Sequence, residues 1–387
     1  MSKPRAIIIG AGFTGVATAY DLSLRGLDVT ILDRGPIANG ASGRTHGLLH
    51  SGCRYVVEDK ESAIECNQEN WILRKIVPEV IEPNGGLFVA LDESDLLYEK
   101  SFVEGCDICR IQIDRINPEQ ALRLEPNLNP KLLVVYHVPD ATFDPLRLAL
   151  AFAASARFNG ARFGLYCEVK GTLFDGMGNV TGVKVWDRKS NGFYELYGDI
   201  VINCTGAWAG RVAGMAKADV PVIPTPGIMV AYDQRLAQRV VNRLCLPSDG
   251  DIDLPQRRMM VAGTTSFEVE DCDYVPCYED QIQLVFEKAA ELLPAIVNTR
   301  MRGAYMATRP LIRTDGIGRS LARTFRCFDH KELHGIDGFV TITGGKATTM
   351  RAMAEKTADL VCRKLSLSSA CTTHELPLLS YRRYYVD

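Results

Sequence analysis

The chain opens on a short apolar, β-branched run, Arg5-Ala-Ile-Ile-Ile9, the pattern of a strand buried on both faces. Gly10-Ala-Gly12-Phe-Thr-Gly15 follows at once, and residues 16–25 alternate small and apolar positions at helical spacing up to Gly26, a residue suited to a helix end. Val29-Thr-Ile-Leu32, closed by Asp33, predicts a second strand, so a βαβ unit is complete within the first 33 residues. Beyond it the pattern predicts a helix over 58–77 and a strand over 87–91 after the turn Asn84-Gly85-Gly86. Asn117-Pro118 and Asp144-Pro145 each pair a capping side chain with a first-turn proline, which predicts two helix starts. Short strands are expected over 161–198, a buried strand over 199–203, further strands through 221–263 and a helix over 279–292. A strand over 339–342 runs into Gly344-Gly345 and a closing helix.

This order predicts an α/β chain of the α+β kind. A Rossmann-like dinucleotide-binding domain is discontinuous over 1–82, 145–220 and 325–387. An inserted, mainly antiparallel β-sheet domain, over 83–144 and 221–324, supplies the substrate side.

The candidate chemistry begins in the first βαβ unit. Gly10 allows the tight turn, Gly12 lets backbone approach a pyrophosphate, and Gly15 lets the helix pack on the sheet. Asp33 stands where a carboxylate accepts hydrogen bonds from a ribose. Two later strand ends, Asn203-Cys-Thr205-Gly206-Ala-Trp208 and Ile342-Thr-Gly344-Gly345-Lys346, repeat the strand-to-glycine-to-helix pattern. A second helix terminus suits a further electron-rich part of a large cofactor, which favours FAD over NAD. Between Arg44 and Tyr55 the loop concentrates glycines, His46, His50 and Arg54. Between 300 and 326 stand seven arginines, including Arg309 and Arg323, against the single acid Asp315. Such a local excess implies an anionic ligand, and guanidinium forks match phosphate or carboxylate.

Composition narrows the reading further. With 44 basic and 47 acidic side chains the net charge is −3, which argues against a nucleic-acid coat. The 387 residues leave room for two domains, no apolar run reaches a membrane-spanning length, and the N-terminus lacks a secretory signal pattern. The twelve cysteines are scattered, which suggests reduced structural thiols in a cytoplasmic protein and no metal site; Cys106 and Cys109 form a lone CxxC, for which a redox or metal role is the alternative.

The segment Gly40-Ala-Ser-Gly-Arg-Thr-His-Gly-Leu-Leu-His-Ser-Gly-Cys-Arg-Tyr55 closely resembles the corresponding stretch of the catalytic A subunits of anaerobic, FAD-dependent glycerol-3-phosphate dehydrogenases. Those subunits belong to the D-amino-acid-oxidase-like flavoprotein superfamily. The resemblance continues through Pro83-Asn-Gly-Gly-Leu87, Val138-Pro-Asp140, Gly263-Thr-Thr-Ser266, Thr308-Arg-Pro-Leu311, Ile342-Thr-Gly-Gly-Lys346 and Cys371-Thr-Thr373, and so covers nearly the whole chain.

The resemblance implies a non-covalent FAD and oxidation of sn-glycerol 3-phosphate to dihydroxyacetone phosphate. Besides the glycines and Asp33, it places Phe13, Thr14, Arg34, Ser42, Arg44, Thr45, His46, Gly47, Leu48, Val169, Thr205, Gly206, Trp208, Gly344, Gly345, Lys346, Ala347 and Thr348 around the cofactor. Arg54 and Tyr55 would lie near the substrate, Arg309 and Arg323 would hold its phosphate, and Lys346 would lie beside flavin and substrate oxygen. His50 is the candidate base for the hydroxyl proton, with His46 and Lys346 as alternatives.

Two features depart from the family. Its members usually continue into a cysteine-rich domain that binds iron–sulfur, whereas this sequence stops at Asp387. Electrons are therefore expected to leave through a separate partner subunit, iron–sulfur or quinone-linked, which would also bring the protein to the inner face of a membrane. Thr225-Pro226-Gly227-Ile228 replaces a segment in which the family tends to carry a lysine, which leaves the substrate open. The alternative readings are a 2-hydroxy-acid dehydrogenase, an amine or opine oxidase, and a non-catalytic, flavin-binding electron-transfer subunit.

Overall fold

A computed structural model describes residues 3–313 and 324–386. The apolar run Arg5–Ile9 forms strand β1, Phe13–Leu24 forms helix α1 and Asp28–Asp33 forms strand β2. β1 pairs in parallel with β2 on one side and with the strand Ile200–Asn203 on the other. The six-stranded sheet is completed by Arg162–Leu165 beyond β2, and by Phe339–Gly344 and Phe325–Asp329 beyond Ile200–Asn203. Its strand order reverses between β1 and Ile200–Asn203, the kind of switch point at which such sheets bind ligands.

Small residues let the layers approach closely. Ala17 and Ala19 of α1 and Ala149, Ala151, Ala153 and Ala156 of the helix Pro145–Phe158 are all buried in one core with the β1 and β2 side chains. Asp144 caps that helix by accepting from the Arg147 amide at 3.0 Å, and Asn117 caps Pro118–Leu124 through the Glu119 amide at 2.8 Å, as the two Asx-Pro pairs predict.

A second, eight-stranded sheet carries strands drawn from 86–138 and 222–312, and among these only Val240–Arg243 and Gly86–Ala90 pair in parallel. Its longest ladder, at one edge of the sheet, joins Val222–Tyr232 to the edge strand Met301–Ile312 and sets Thr225 opposite Arg309. The helix Glu279–Leu292 covers one face through Val285, Ala289 and Leu292.

The closing helix runs Met350–Lys364, starting one turn later than the Gly344-Gly345 pair suggests. Both glycines have positive φ, +84° and +69°, so the chain turns there before it can enter a helix. Arg351 of this helix is buried, with Nε donating to Glu69 Oε2 at 2.9 Å, which ties it to the helix Lys60–Ile76.

Candidate active site

One deep cleft opens at the C-terminal ends of the parallel strands. Ile9, Leu32, Asp33, Cys204, Ile342 and Gly344 are strand-end residues that line it. The N-terminus of α1 points into its middle. Gly12 is the N-cap and provides no side-chain hydrogen bond; the Phe13 amide donates to Ser42 Oγ at 2.9 Å, and the rest of the first turn of α1 is left for an anion. A Cβ on Gly12 would stand 3.0 Å from Ser42 Oγ, and one on Gly10 would stand 2.8 Å from the Cys204 carbonyl oxygen. Backbone thus approaches the cleft where no side chain fits.

Asp33 closes β2 as expected, with a further job. Its Oδ2 accepts from the Ala11 amide at 2.7 Å and its Oδ1 from the Gly35 amide at 2.8 Å. Burial raises its pKa, and those two amides pull it back. Each oxygen retains a second lone pair for a hydroxyl. Val169, Leu32 and Cys167 give this end of the cleft an apolar wall. At its rim Arg34 lies 4.5 Å over the Trp208 ring, and Asp273 accepts from Arg34 at 2.8 Å and from Trp208 Nε1 at 2.9 Å.

The other end gathers the polar loop. His46, His50, Arg54, Tyr55, Arg309 and Lys346 all line it. His50 Nε2 lies 3.5 Å from Tyr55 Oη, and Lys346 Nζ lies 4.5 Å over the Tyr55 ring while donating to Ser62 Oγ at 2.7 Å. Thr348 stands behind this group, its Oγ1 accepting from the His50 amide at 3.1 Å. Gly52, at φ +100°, turns the chain into the short 3-10 helix Cys53–Tyr55 that aims Arg54 and Tyr55 inward.

The two arginines are held differently. Arg309 donates through Nε to the Thr225 carbonyl at 3.3 Å and through Nη1 to Thr264 Oγ1 at 2.9 Å. Its Nη2 reaches the carbonyls of Pro226 at 3.3 Å and Thr265 at 2.6 Å. Arg54 is nearly buried, and its hydrogen bonds to the described residues all run through one nitrogen: Nη2 donates to Asp251 Oδ1 at 2.7 Å and to the Ser248 carbonyl at 3.3 Å.

His46 is set as a donor. The Leu48 amide donates to its Nδ1 at 3.0 Å, which fixes the Nε2–H tautomer. Burial, then the charges of Arg54 and Arg309, push its pKa down to about 3. A ring whose one lone pair is already occupied is a poor base, which leaves His50 the stronger of the two histidine candidates. Between about pH 6.5 and 3 the unfolded chain binds a proton that folded His46 refuses, so stability is lost as the pH falls through that window. Urea melts across this range are expected to show a shallower acid slope for His46→Gln than for the parent chain.

Of the residues expected around a cofactor, Gly10, Gly12, Phe13, Thr14, Asp33, Arg34, Ser42, Thr45, His46, Leu48, Val169, Thr205, Gly206, Trp208, Gly344, Gly345, Lys346 and Ala347 line the cleft. Gly15, Arg44, Gly47 and Thr348 are not among its lining residues: Arg44 is exposed, and Gly47 is packed against Gln256 and Phe143. Arg323 lies outside the described residues. Cys106 ends against Cys53, Sγ to Sγ 3.9 Å, in an apolar cluster behind Arg54, and burial raises the Cys53 thiol. Among the described residues one group has metal-ligand spacing, Glu355, Cys371 and His374, and none of the three lines the cleft. Sequence reasoning missed Asp251, and it noted Gly263-Thr-Thr-Ser266 for its resemblance without giving Thr264 or Thr265 their role of holding Arg309.

The fit to FAD is good on three counts: an α1 N-terminus whose glycine cap leaves its first turn open beyond Phe13, an apolar end beyond Asp33, and positive-φ glycines at positions 206, 344 and 345 lining the cleft. The family model described as FAD dependent oxidoreductase matches residues 5–360. The chain is 41% identical over 376 residues to the A subunit of the anaerobic glycerol-3-phosphate dehydrogenase of Haemophilus influenzae, covering 96% of this chain and 67% of that one. It is 40% identical to the corresponding A subunit of Escherichia coli K12, covering 96% and 69%, and spans about two thirds of these relatives' length. Among solved structures, Bacillus halodurans glycerol-3-phosphate dehydrogenase complexed with FAD aligns with TM-score 0.75 at 22% identity, covering 97% of this chain and 68% of that one. Glycine oxidase from Geobacillus kaustophilus aligns with TM-score 0.77 at 20% identity, covering 97% and 99%. At such identities the structures speak for the fold alone.

Proposed function

Because the chain belongs to the FAD dependent oxidoreductase (DAO) family, we propose that it oxidises a small anionic secondary alcohol, sn-glycerol 3-phosphate, to dihydroxyacetone phosphate. The observation that carries this reading is the convergence of Arg54, Arg309 and Lys346 on the cleft end that also holds His50 and Tyr55. Three cationic side chains beside a histidine suit a substrate with an anionic tail and a hydroxyl to be deprotonated. Bound FAD would supply the two-electron acceptor for the hydride equivalent leaving carbon.

The chain's own residues do the rest. Arg54 turns Nε and Nη1 toward the substrate phosphate, and Arg309 adds its charge at the same end. His50 takes the hydroxyl proton, and Tyr55, 3.5 Å from its Nε2, keeps that proton within a shared pair. His46 donates its Nε2–H to developing negative charge, and Lys346 adds a fixed positive charge. Thr14 and the α1 amides would hold the cofactor diphosphate, and Asp33 would hold its ribose. Strands drawn from 83–144 and 221–324 supply the substrate wall, including the unusual Thr225–Ile228 segment.

The relatives are named as the A component of a larger enzyme, and we assign the electrons to a partner subunit, iron–sulfur or quinone-linked. Among the described residues no helix is long and apolar enough to cross a membrane.

The test is anaerobic. The FAD-loaded chain is mixed with sn-glycerol 3-phosphate, a 2-hydroxy acid or an opine, and the visible flavin absorbance is followed. Fast bleaching by glycerol 3-phosphate alone is expected. Bleaching only by the hydroxy acid or the opine would keep cofactor and fold and overturn the substrate.

A further inference from the structure

Arg54 sits in the cleft with only part of its guanidinium engaged. It is nearly buried, yet among the described residues Nε and Nη1 have no protein partner, and neither nitrogen is completely buried. A nearly buried cation on the wall of an open cavity, with two nitrogens outside any hydrogen bond to the described residues, needs something behind it to fix its direction. Asp251 meets that need. Its side chain is 1% exposed and it does not line the cleft, so it touches nothing bound there. Oδ1 accepts from Arg54 Nη2 at 2.7 Å. Oδ2 accepts from the Ser248 amide at 2.7 Å and from Ser248 Oγ at 3.3 Å. With both oxygens held from different sides the carboxylate cannot rotate. The Asp251 carbonyl accepts in turn from the Arg243 amide at 3.0 Å, so the turn carrying it is pinned to the eight-stranded sheet.

We propose that Asp251, clamped by Ser248, is the positioning residue that fixes the Arg54 fork toward the anionic group of the substrate and so sets how tightly that group is held. The inference rests on the reading of Arg54 as a substrate-phosphate ligand. Asp251 neutralises Arg54 in the empty cleft and orients it in the filled one, acting through the residue that makes contact. Asparagine at this position keeps the shape and loses the arrangement. Its amide nitrogen would have to face either Arg54 Nη2 or the Ser248 amide, donor against donor. The energetic consequence falls on binding, because Arg54 acts at the end of the substrate remote from the reacting carbon.

The experiment measures anaerobic flavin reduction by sn-glycerol 3-phosphate in stopped flow, reading the half-saturating concentration apart from the limiting rate, with FAD content as the check on folding. Asp251→Asn is expected to raise the half-saturating concentration about tenfold while the limiting rate changes by less than about threefold. The same substitution made on an Arg54→Gln background is expected to add nothing to the half-saturating concentration, since the group it positions is gone. An equal rise in both backgrounds marks a structural role and overturns the proposal, as does an unchanged value in the single variant. If Asp251→Asn does not retain FAD, Asp251→Glu takes its place: a displaced but charged carboxylate should still raise the half-saturating concentration severalfold, and no change overturns the proposal. The reading of Arg54 itself fails separately, by an Arg54→Gln enzyme that saturates with glycerol 3-phosphate as the parent does.

Discussion

Replacing Arg54 by alanine is expected to lower the second-order rate of flavin reduction by glycerol 3-phosphate about 10²- to 10⁴-fold. Two charge-assisted hydrogen bonds to phosphate, at ~1.5–3 kcal/mol each, correspond to a loss of that order. Arg54 is nearly buried, its side chain 7% exposed, so solvent screens the interaction little. A second consequence separates this site from an ordinary surface arginine. Alanine leaves Asp251 buried with no counter-charge, and breaking a buried pair from one side destabilises by about 3–5 kcal/mol. The Arg54→Ala chain should therefore melt at lower temperature as well as turn over slowly, while Arg54→Ala combined with Asp251→Ala should recover stability and not rate. A thermal melt and a stopped-flow titration on the three variants decide it. A variant that keeps the parent rate would remove Arg54 from the substrate site.

Arg309→Ala should look different. Its nitrogens reach two backbone carbonyls on the Val222–Tyr232 strand, and Thr264 Oγ1 and the Thr265 carbonyl beyond Gly263. That residue crosslinks the cleft wall as well as facing it, so its loss should disturb both binding and the limiting rate. The contrast explains why an arginine cluster is a weak guide to which arginine binds. The run from 300 to 326 announces an anion, but the sequence does not say which guanidinium keeps donors for it. Arg54, in a glycine-rich loop far from that run, keeps two nitrogens uncommitted among the described residues, whereas Arg309 spends all three of its nitrogens on protein acceptors.

The same distinction runs through the fold. The β1–α1–β2 unit is legible because all its determinants are local: an apolar strand, three glycines at fixed offsets and an acid at the next strand end. The proline-capped helices are legible for the same reason. What stays hidden is the contact made across the chain. Asp251 is 197 residues from Arg54, and Thr264 is 45 residues from Arg309. The position of Asp33 predicts an acceptor for a ribose, but its two bonds to the Ala11 and Gly35 amides are invisible to pattern because backbone donors leave no residue signature. The helix expected directly after Gly345 begins at Met350, because two successive left-handed glycines make a turn whatever the propensity of the residues that follow.

The largest single effect is expected at Gly15, where an alanine should yield protein without FAD. Gly15 lies within α1 and has an ordinary helical backbone, so conformational strain plays no part. The obstacle is steric: a Cβ there would sit 1.8 Å from the Gly10 carbonyl oxygen and 3.0 Å from its carbonyl carbon, with Ile31 Cδ1 at 3.4 Å on the sheet side. No rotamer relieves a clash between backbone and a Cβ, so α1 must tilt away from the β1 turn, at a cost of about 1–3 kcal/mol or more for overpacking. The tilt carries the α1 N-terminus, and with it the amides that face the diphosphate, off target. Two neighbours grade the effect. Gly12→Ala meets only the Ser42 side chain, its hydroxyl at 3.0 Å, which can turn aside at the expense of its bond to the Phe13 amide, and should weaken FAD binding without abolishing it. Gly26→Ala meets nothing within 4 Å but stands at φ +89°, and should cost about 1 kcal/mol of stability while leaving the flavin in place. The ratio of flavin to protein absorbance after purification, set beside the melting temperature, ranks the three. A Gly15→Ala chain that purifies yellow at full stoichiometry would place the diphosphate somewhere other than the N-terminus of α1.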